Sequence, residues 1–476
     1  MTFQATPVAD IGRIVADARA FHATHATLPL EWRKTQLKQL FKMLKDNEKA
    51  FCDAVFADLG VEPNQIFIRE IALVYNDLTL ALNELDNWAA PHKPTVDLAF
   101  KLDNAQIRSE PVGVVLCVAP FNYPLQLSLV PLVGAIAAGC CMVIKPSELA
   151  SHTAAVLAHF IPLYLEPRAF KVVNGFVDET TELLAQRFDH ILYTGNGQVA
   201  RIVAAAAAKN LTPLTLELGG KSPALVDATA DLSVTARRLA WGAFTNSGQT
   251  CVRPDYVLAT PDVVDKLVAL LQQHADEHFG DKNDARQGVI VNDRHFARVT
   301  KMLDDTKGKI AFGNKRVPGE RFLSPTVVTG VKSDDALMQS EIFGPILPIV
   351  TLPRDEMIAF VNSRDKPLAL YVFTSDDAWA ERVLSETSSG SAVVNDVLMQ
   401  CVVAELPFGG IGESGMGAYH GKHSFDTFSH KKSILKKNFM AESLNSLRYP
   451  PITEKKIGWL KWLSISEPRE KWFGIF

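Results

Sequence analysis

The sequence predicts an α/β fold built as more than one domain, and three observations carry that prediction. From residue 111 to about 405, short apolar runs alternate with segments of helix length, the pattern of parallel sheets covered on both faces. Several of these runs end in turns bearing glycine, asparagine or proline, and ligands of such sheets bind beyond the carboxyl ends of the strands. At 476 residues the chain is too long for one core, so two or three domains are expected.

In chain order, residues 9–58 carry apolar positions at helical spacing among many Lys, Glu and Asp, and 67–90 continue the pattern. His92, Lys93 and Pro94 break it, and Asn104 to Arg108 reads as an extended arm. Val112 to Val118 is a strand ending at Pro120-Phe121-Asn122-Tyr123-Pro124, and a helix over 125–138 follows. Met142 to Ile144 runs into Lys145-Pro146-Ser147-Glu148, then a helix over 149–161 precedes Lys171 to Gly175. His190 to Thr194 meets Gly195, and an alanine-rich helix continues to about Lys209. A second alternating stretch covers 221 to about 405, with helices near 228–246 and 262–278 and strands near 347–351, 370–374 and 391–395. Residues 125–144 hold twenty uncharged positions, but Gln126, Ser128, Pro131, Gly134 and Gly139 interrupt them. A buried helix and strand account for the run better than a membrane span, which stands as the second reading.

Composition narrows the function classes. Hydrophobic content of 47% and a charged share of 21% are ordinary for a globular protein, and a net charge of −4 gives no reason to expect a nucleic-acid partner. The six cysteines, Cys52, Cys117, Cys140, Cys141, Cys251 and Cys401, form no C-x-x-C pair and have no histidines at metal-ligand spacing. This reads as a reduced intracellular protein without a bound metal. The opening MTFQATPVADIGRIV has no basic start followed by an apolar stretch, so no secretory signal is expected.

Two places carry chemistry. Cys251 closes the run Asn246-Ser247-Gly248-Gln249-Thr250-Cys251, a polar turn in which a thiol can approach a carbonyl. Upstream, Glu217 opens E-L-G-G-K-S-P, a carboxylate on a separate segment, and a nucleophile with a base is the minimum for two-step covalent catalysis. A small buried apolar cysteine is the plain alternative, made less fitting by the polar flanks. Separately, Gly195-Asn196-Gly197-Gln198-Val199-Ala200 fits G-x-G-x-x-G/A directly after a strand, where backbone can approach a pyrophosphate. The acid expected about 20 residues on is Glu217 again, so these residues alone leave it either ribose ligand or base.

The chain resembles the aldehyde dehydrogenase superfamily over residues 10–445. The motifs are P-F-N-Y-P at 120–124, K-P-S-E at 145–148, Y-T-G-N-G at 193–197, E-L-G-G-K-S-P at 217–223, G-Q-T-C at 248–251, E-I-F-G-P at 341–345 and P-F-G-G-I-G-E-S-G-M-G at 407–417. The stretch from Tyr419 to His430 and Leu447 to Pro451 resemble the class 3 branch, which includes the fatty aldehyde dehydrogenases. The implied fold is aldehyde dehydrogenase-like: a Rossmann-type cofactor-binding domain (1–93 and 109–217), a second α/β catalytic domain (218–404) and a small oligomerisation element (94–108 and 405–440), with a C-terminal tail (441–476). The implied reaction is oxidation of medium- or long-chain aliphatic aldehydes to acids. In it Cys251 forms a thiohemiacetal, Asn122 and the Cys251 N–H hold the oxyanion, the nicotinamide takes the hydride, and Glu217 activates water against the thioester. Lys145 and Glu148 match contacts to the adenosine ribose, Gly195, Asn196 and Gly197 the pyrophosphate turn, Glu341 the nicotinamide ribose and Phe343 the nicotinamide. NAD is expected, with NADP also accepted, because a carboxylate at Glu148 suits a ribose 2′-hydroxyl.

The sequence departs from that pattern at Arg253, where a small residue is expected; a guanidinium there lowers the thiol pKa or, more commonly, points outward into a salt bridge. Ala200 replaces a glycine, a change the fingerprint tolerates. The resemblance implies a homodimer. Lys455 to Leu463, with Trp472, Phe473 and Phe476, mixes indoles with lysines and suits peripheral contact with a membrane face, a lid, or docking on protein. The expected location is cytoplasmic, with that peripheral contact on an intracellular membrane. An aromatic aldehyde dehydrogenase is the nearest alternative, and a cofactor-independent thiol esterase the more distant one.

Overall fold

Amphipathic helices form the N-terminal layer because their apolar residues recur every three or four positions. In the computed structural model, which describes residues 1–96, 100, 103–280, 288–437, 439 and 442–464, these helices span Val8–Ala23, Leu30–Asp46, Glu48–Leu59 and Ala72–Ala89. Gly60, at φ 66°, ends the third in the left-handed conformation that glycine adopts without strain. A wider turn with i→i+5 geometry, Phe67–Ile71, leads into the fourth and holds Glu70 buried. Glu70 accepts hydrogen bonds from the N–H groups of Leu125 (2.7 Å) and Gln126 (3.1 Å), so it caps the wholly buried helix Gln126–Ala138. Asp58 does the same for Ser151–Tyr164 through the N–H groups of His152 and Thr153. The helical layer is therefore keyed to the sheet it covers by two buried carboxylates.

Strand β1, Asn104–Pro111, pairs antiparallel with Ser429–Lys436 as a two-stranded ribbon apart from the main sheets. It runs three residues past the predicted end of the arm because the ladder stays in register to Pro111 opposite Ser429. Next come β2 (Val114–Val118), β3 (Cys141–Lys145), β4 (Phe170–Val172), β5 (His190–Gly195) and β6 (Leu214–Leu218), all parallel. Their spatial order is β6-β5-β2-β3-β4, with Gly415–Met416 added antiparallel on β6. The order reverses between β2 and β5, and that switch point opens the crevice in which ligands of such sheets lie.

A seven-stranded sheet follows. Its core is β7 (Pro223–Val226) beside β8 (Tyr256–Ala259), flanked by Ala369–Phe373 and Ser391–Val394 on one side and Ile346–Thr351, Thr326–Thr329 and Lys309–Phe312 on the other. Only Lys309–Phe312 runs antiparallel to its neighbour. The uncharged run 125–144 is the buried helix and β3, and no helix among the described residues is long and apolar enough to cross a membrane. Cys140 and Cys141 are both buried, the first donating its thiol to the Phe428 carbonyl.

Burial pushes the Glu70 carboxyl up to about 8, outweighing the two N–H donors that favour its charged form. A folded-state pKa raised above the unfolded value of 4.5 stabilises fully below that value and loses the contribution as pH rises towards 8. We therefore expect unfolding free energy to fall between these limits, by up to about 1.4 kcal/mol per pH unit from this group. Glu70→Gln, which retains an acceptor for both N–H groups, should flatten that slope in urea titrations. The parallel shares from Asp77, raised by burial to about 7, and from Glu341 and Glu217, which burial also raises, would remain. An unchanged slope in the variant would show that Glu70 does not titrate across this window.

Candidate active site

Cys251 follows a backbone that would not hold its shape alone. After the helix Leu232–Phe244, Asn246, Ser247 and Gly248 take φ values of 54°, 53° and 69°, three left-handed residues in succession. Such conformations cost on the order of 1–3 kcal/mol for a side-chain-bearing residue and persist only where the surroundings over-determine them. Here they do. The Asn246 amide donates to the carbonyls of Asn122 (2.8 Å) and Gln249 (3.3 Å), and Ser247 Oγ donates to Gly288 O (2.8 Å). The Gln249 amide donates to Asn246 O and Val289 O and accepts from Val291 N–H. Gly248 is required for a second reason: a Cβ there would lie 2.2 Å from Gly344 O.

The loop after β2 is tied to this turn. Asn122 Nδ2 donates to Gln249 O at 3.0 Å, and the Tyr123 hydroxyl meets Thr250 Oγ1 at 2.5 Å. The predicted pair Asn122 and Cys251 is thus brought together, with the Asn122 amide against the residues preceding the thiol.

Glu217 lies in β6, 2% exposed, and neither carboxylate oxygen has a hydrogen-bond partner. Burial holds its carboxyl well above the usual carboxylate range. Burial likewise holds the Cys251 thiol well above its ordinary value, and Cys401, Glu341 and Glu217 add to the effect; only its own backbone N–H opposes it. Thiol and carboxyl lie within electrostatic reach of each other, and the protein's own groups favour the neutral form of both. The ladder explains why sequence could not separate the two roles of Glu217. It pairs with Thr194, one residue before Gly195, so it borders both the glycine turn and the thiol.

Arg253 corrects the sequence expectation on both counts. It is 1% exposed and points inward, where Nη1 donates to Gly344 O and Nη2 to Ile346 O (2.5 Å each), with Asp255 at 3.5 Å. No cation is among the groups that shift the thiol. A guanidinium follows Cys251 by two residues because the backbone of 344–346 needs donors there.

On the other side of the crevice, Lys145 ends β3 and pairs with Glu148 at 2.8 Å, while Ser147 caps the turn that follows. Gly195 ends β5, and Asn196 caps the helix Gly197–Ala208 by accepting from Val199 N–H. Glu341 has one buried oxygen, Oε1, without a partner, and burial raises its carboxyl to about 8. A Cβ on Gly219 would fall 2.1 Å from Glu341 Oε2, so glycine is what lets that carboxylate reach the end of β6. Phe343, at φ 48°, packs edge-on against Phe121 with ring centroids 5.9 Å apart, beside Asn122. These groups fit a dinucleotide: a helix N-terminus for a pyrophosphate, carboxylates for ribose hydroxyls, and an orphaned buried acceptor at the thiol end.

Three residues escaped the sequence reading. Tyr371 donates its hydroxyl to Val252 O (2.5 Å) and accepts from Gln400 (3.1 Å), bracing the residue after the nucleophile. Tyr419 is fully buried with an unpartnered hydroxyl, within electrostatic reach of Glu217, Cys251 and Cys401. Cys401 carries no local signal at all, since 150 positions of chain separate it from the thiol it neighbours.

Residues 1–434 match the family model of the aldehyde dehydrogenase family. The chain is 46% identical over 443 residues to mouse aldehyde dehydrogenase family 3 member A2, covering 92% of this chain and 91% of that protein. It is 45% identical over 453 residues to the rat enzyme named aldehyde dehydrogenase, dimeric NADP-preferring, covering 94% and 99%. Among solved structures, AldH of Staphylococcus aureus in a substrate-bound state superposes with a TM-score of 0.92 at 42% identity, covering 95% of this chain and 99% of that one.

Arg253→Met should lower unfolding free energy by about 2–4 kcal/mol, since it strands two buried carbonyls while Asp255 keeps Lys221. Arg253→Lys should not restore it, because an ammonium cannot span both acceptors as a planar fork does. The check is the urea midpoint at unchanged slope; a shift worth less than about 0.5 kcal/mol would contradict the bracing role.

Proposed function

This chain belongs to the aldehyde dehydrogenase family, on its class 3 branch, and we propose that it oxidises medium- or long-chain aliphatic aldehydes with Cys251 as nucleophile and Glu217 as hydrolytic base. It is an NAD(P)-dependent aldehyde dehydrogenase; the aliphatic preference, the site roles and the tail are the proposal. The observation that carries the roles is a partly open Cys251 within electrostatic reach of a buried, unpartnered Glu217, with the Asn122 amide bonded to the turn before the thiol. The aliphatic preference is supported by similarity to family 3 member A2 and to the fatty aldehyde branch.

Cys251 adds to the aldehyde carbon, and the new oxyanion is held by the Asn122 amide and the Cys251 N–H. One such donor is worth roughly 3 kcal/mol of barrier. A nicotinamide held beside Glu341 and Phe343 would supply the two-electron acceptor for oxidation of the adduct to a thioester. Glu217 then takes a proton from water as that water attacks the acyl carbon, and the acid leaves Cys251. Because burial raises the carboxyl, Glu217 serves as base only after losing its own proton, so turnover rises with pH through a value above the carboxylate range.

Lys145, Glu148, Gly195, Asn196, Gly197, Glu341 and Phe343 are assigned to the dinucleotide. NAD is favoured by the Glu148 carboxylate, and NADP is accepted, in keeping with the rat relative's name. A homodimer accords with the same name. The location assigned is the cytoplasm, with the tail in peripheral contact with an intracellular membrane. In the helix Glu454–Ser464, Trp459 and Trp462 are 50% and 67% exposed beside Lys455, Lys456 and Lys461, a combination that suits a lipid interface. Trp472, Phe473 and Phe476 lie outside the described residues.

NADH formation across hexanal, decanal, hexadecanal and benzaldehyde tests the substrate. Rates should rise with chain length and vanish in Cys251→Ala; preference for benzaldehyde would move the assignment to aromatic aldehydes. Glu217→Gln should release about one equivalent of NADH and then stall, without the acid limb of the wild-type pH profile. Steady turnover in that variant would remove Glu217 from the base role. Deletion of residues 455–476 should weaken binding to anionic liposomes, and unaltered binding would end the membrane reading.

A further inference from the structure

The oxidation uses one thiol, yet a second, Cys401, lies within electrostatic reach of it. Cys52, Cys117, Cys140 and Cys141 are buried, while Cys251 and Cys401 alone among the six cysteines are partly open. Cys401 ends the short turn Met399–Cys401, entered through Leu398 at φ 63°. One phenol joins the two segments: Gln400, the residue before Cys401, donates to Tyr371 Oη at 3.1 Å, and Tyr371 Oη donates to the carbonyl of Val252, the residue after Cys251. Each of the two thiols lies within electrostatic reach of the Glu217 carboxylate, and they lie within reach of each other. Met399 and Val402, on either side, are exposed, so the turn is not locked by packing on its outer face.

We propose that Cys401 is a resolving thiol that makes Cys251 a reversible oxidation site for peroxides. In the first step the Cys251 thiolate attacks one oxygen of hydrogen peroxide, the O–O bond breaks, and sulfenic acid and hydroxide form. In the second, the Cys401 thiol attacks the Cys251 sulfur, the S–O bond breaks, and the hydroxyl leaves as water with the Cys401 proton. The sum is two thiols and one peroxide giving one disulfide and two waters. Cys251 is the thiol oxidised first, because catalysis requires it to ionise. Without a partner its sulfenic acid would go on to the sulfinic and sulfonic forms, which thiols do not reverse. A disulfide needs Cα atoms about 4.4–6.8 Å apart, so any approach of the two sulfurs falls to the short 399–401 turn, whose outer face is exposed. The disulfide blocks aldehyde attack and is undone by a dithiol, so the device parks the nucleophile in a recoverable form.

This inference rests on Cys251 being the nucleophile of the proposed oxidation, and its test separates the two. Full-length protein, with and without NAD, is exposed to hydrogen peroxide and then to dithiothreitol, and aldehyde-dependent NADH formation is followed alongside peptide mass spectrometry under non-reducing conditions. Wild type should lose activity about tenfold or more, regain most of it with the dithiol, and yield a cross-linked Cys251–Cys401 peptide two hydrogens lighter than its parts. In Cys401→Ala, activity relative to its own untreated level should fall as far but recover by less than about a fifth, with sulfinic acid at Cys251. Absence of the cross-link in wild type, or equal recovery in Cys401→Ala, would overturn the proposal. Failure of untreated wild type to oxidise any aldehyde would instead overturn the functional reading, while the cross-link would still report on the thiol pair.

Discussion

The reciprocal hydrogen bonds between Asn122 and the 246–249 turn are the constraint on which the site depends. Asn246 donates to the Asn122 carbonyl, and Asn122 returns a bond to the Gln249 carbonyl. The two segments belong to different sheets, one following β2 and the other preceding β8, so the clamp also fixes how the sheets' working edges face each other. It pins a left-handed backbone that has no intrinsic stability, and it sets where the Cys251 thiol stands relative to the Asn122 amide. A displacement near 1 Å at such a site can cost on the order of a hundredfold in rate. The clamp is itself seated by Glu70, whose carboxylate holds Leu125 and Gln126 one residue beyond Pro124.

Charge is distributed around this clamp in an instructive way. Lys221 donates to Asp255, Leu337 O and Ser340 O; Arg298 donates to Ile342 O; Arg253 takes Gly344 O and Ile346 O. Three buried or half-buried cations are thus committed to the backbone of 337–346; Arg253 and Lys221 act on the Glu341 carboxyl only through space, and burial outweighs them. Glu217 is likewise raised by burial. Leaving Glu217 wholly and Glu341 partly without partners lowers stability, and strain of this kind concentrates where a protein must bind something. The cations fix the peptide so that the carboxylate stays available.

Much of this architecture was readable from sequence because it is local. Strand and helix alternation follows from apolar periodicity, and the turns at 120–124, 145–148 and 193–197 fall where the chain leaves a strand. Asn122, Glu217 and Cys251 announce themselves through residue type and flanking glycines. What was not readable depends on tertiary pairing. The place of β2 between β3 and β5, which creates the crevice, is a matter of strand order. Arg253 resembles a surface arginine until the carbonyls of Gly344 and Ile346 are seen opposite it. Tyr371 and Cys401 lie 120 and 150 positions beyond Cys251 in an unremarkable sequence, and only the phenol bridging Val252 and Gln400 makes them neighbours.

Burial works against charge on both the Cys251 thiol and the Glu217 carboxyl, and that bears on how such a site begins work. A carboxylate and a thiolate together in this cleft would repel each other in a region already unfavourable to either charge. With both protonated, neither cost arises. One proton must still leave before Cys251 can attack, and Glu217 cannot accept it while carrying its own. Ionisation therefore requires positive charge brought to the cleft or a route for protons out of it. Lys221, Arg253 and Arg298 are committed to the 337–346 backbone, and a nicotinamide held beside Glu341 and Phe343 would bring the positive charge the chain does not itself provide. On this argument nucleophile activation is coupled to cofactor binding by the burial of Cys251 and Glu217, without a dedicated residue to enforce the order.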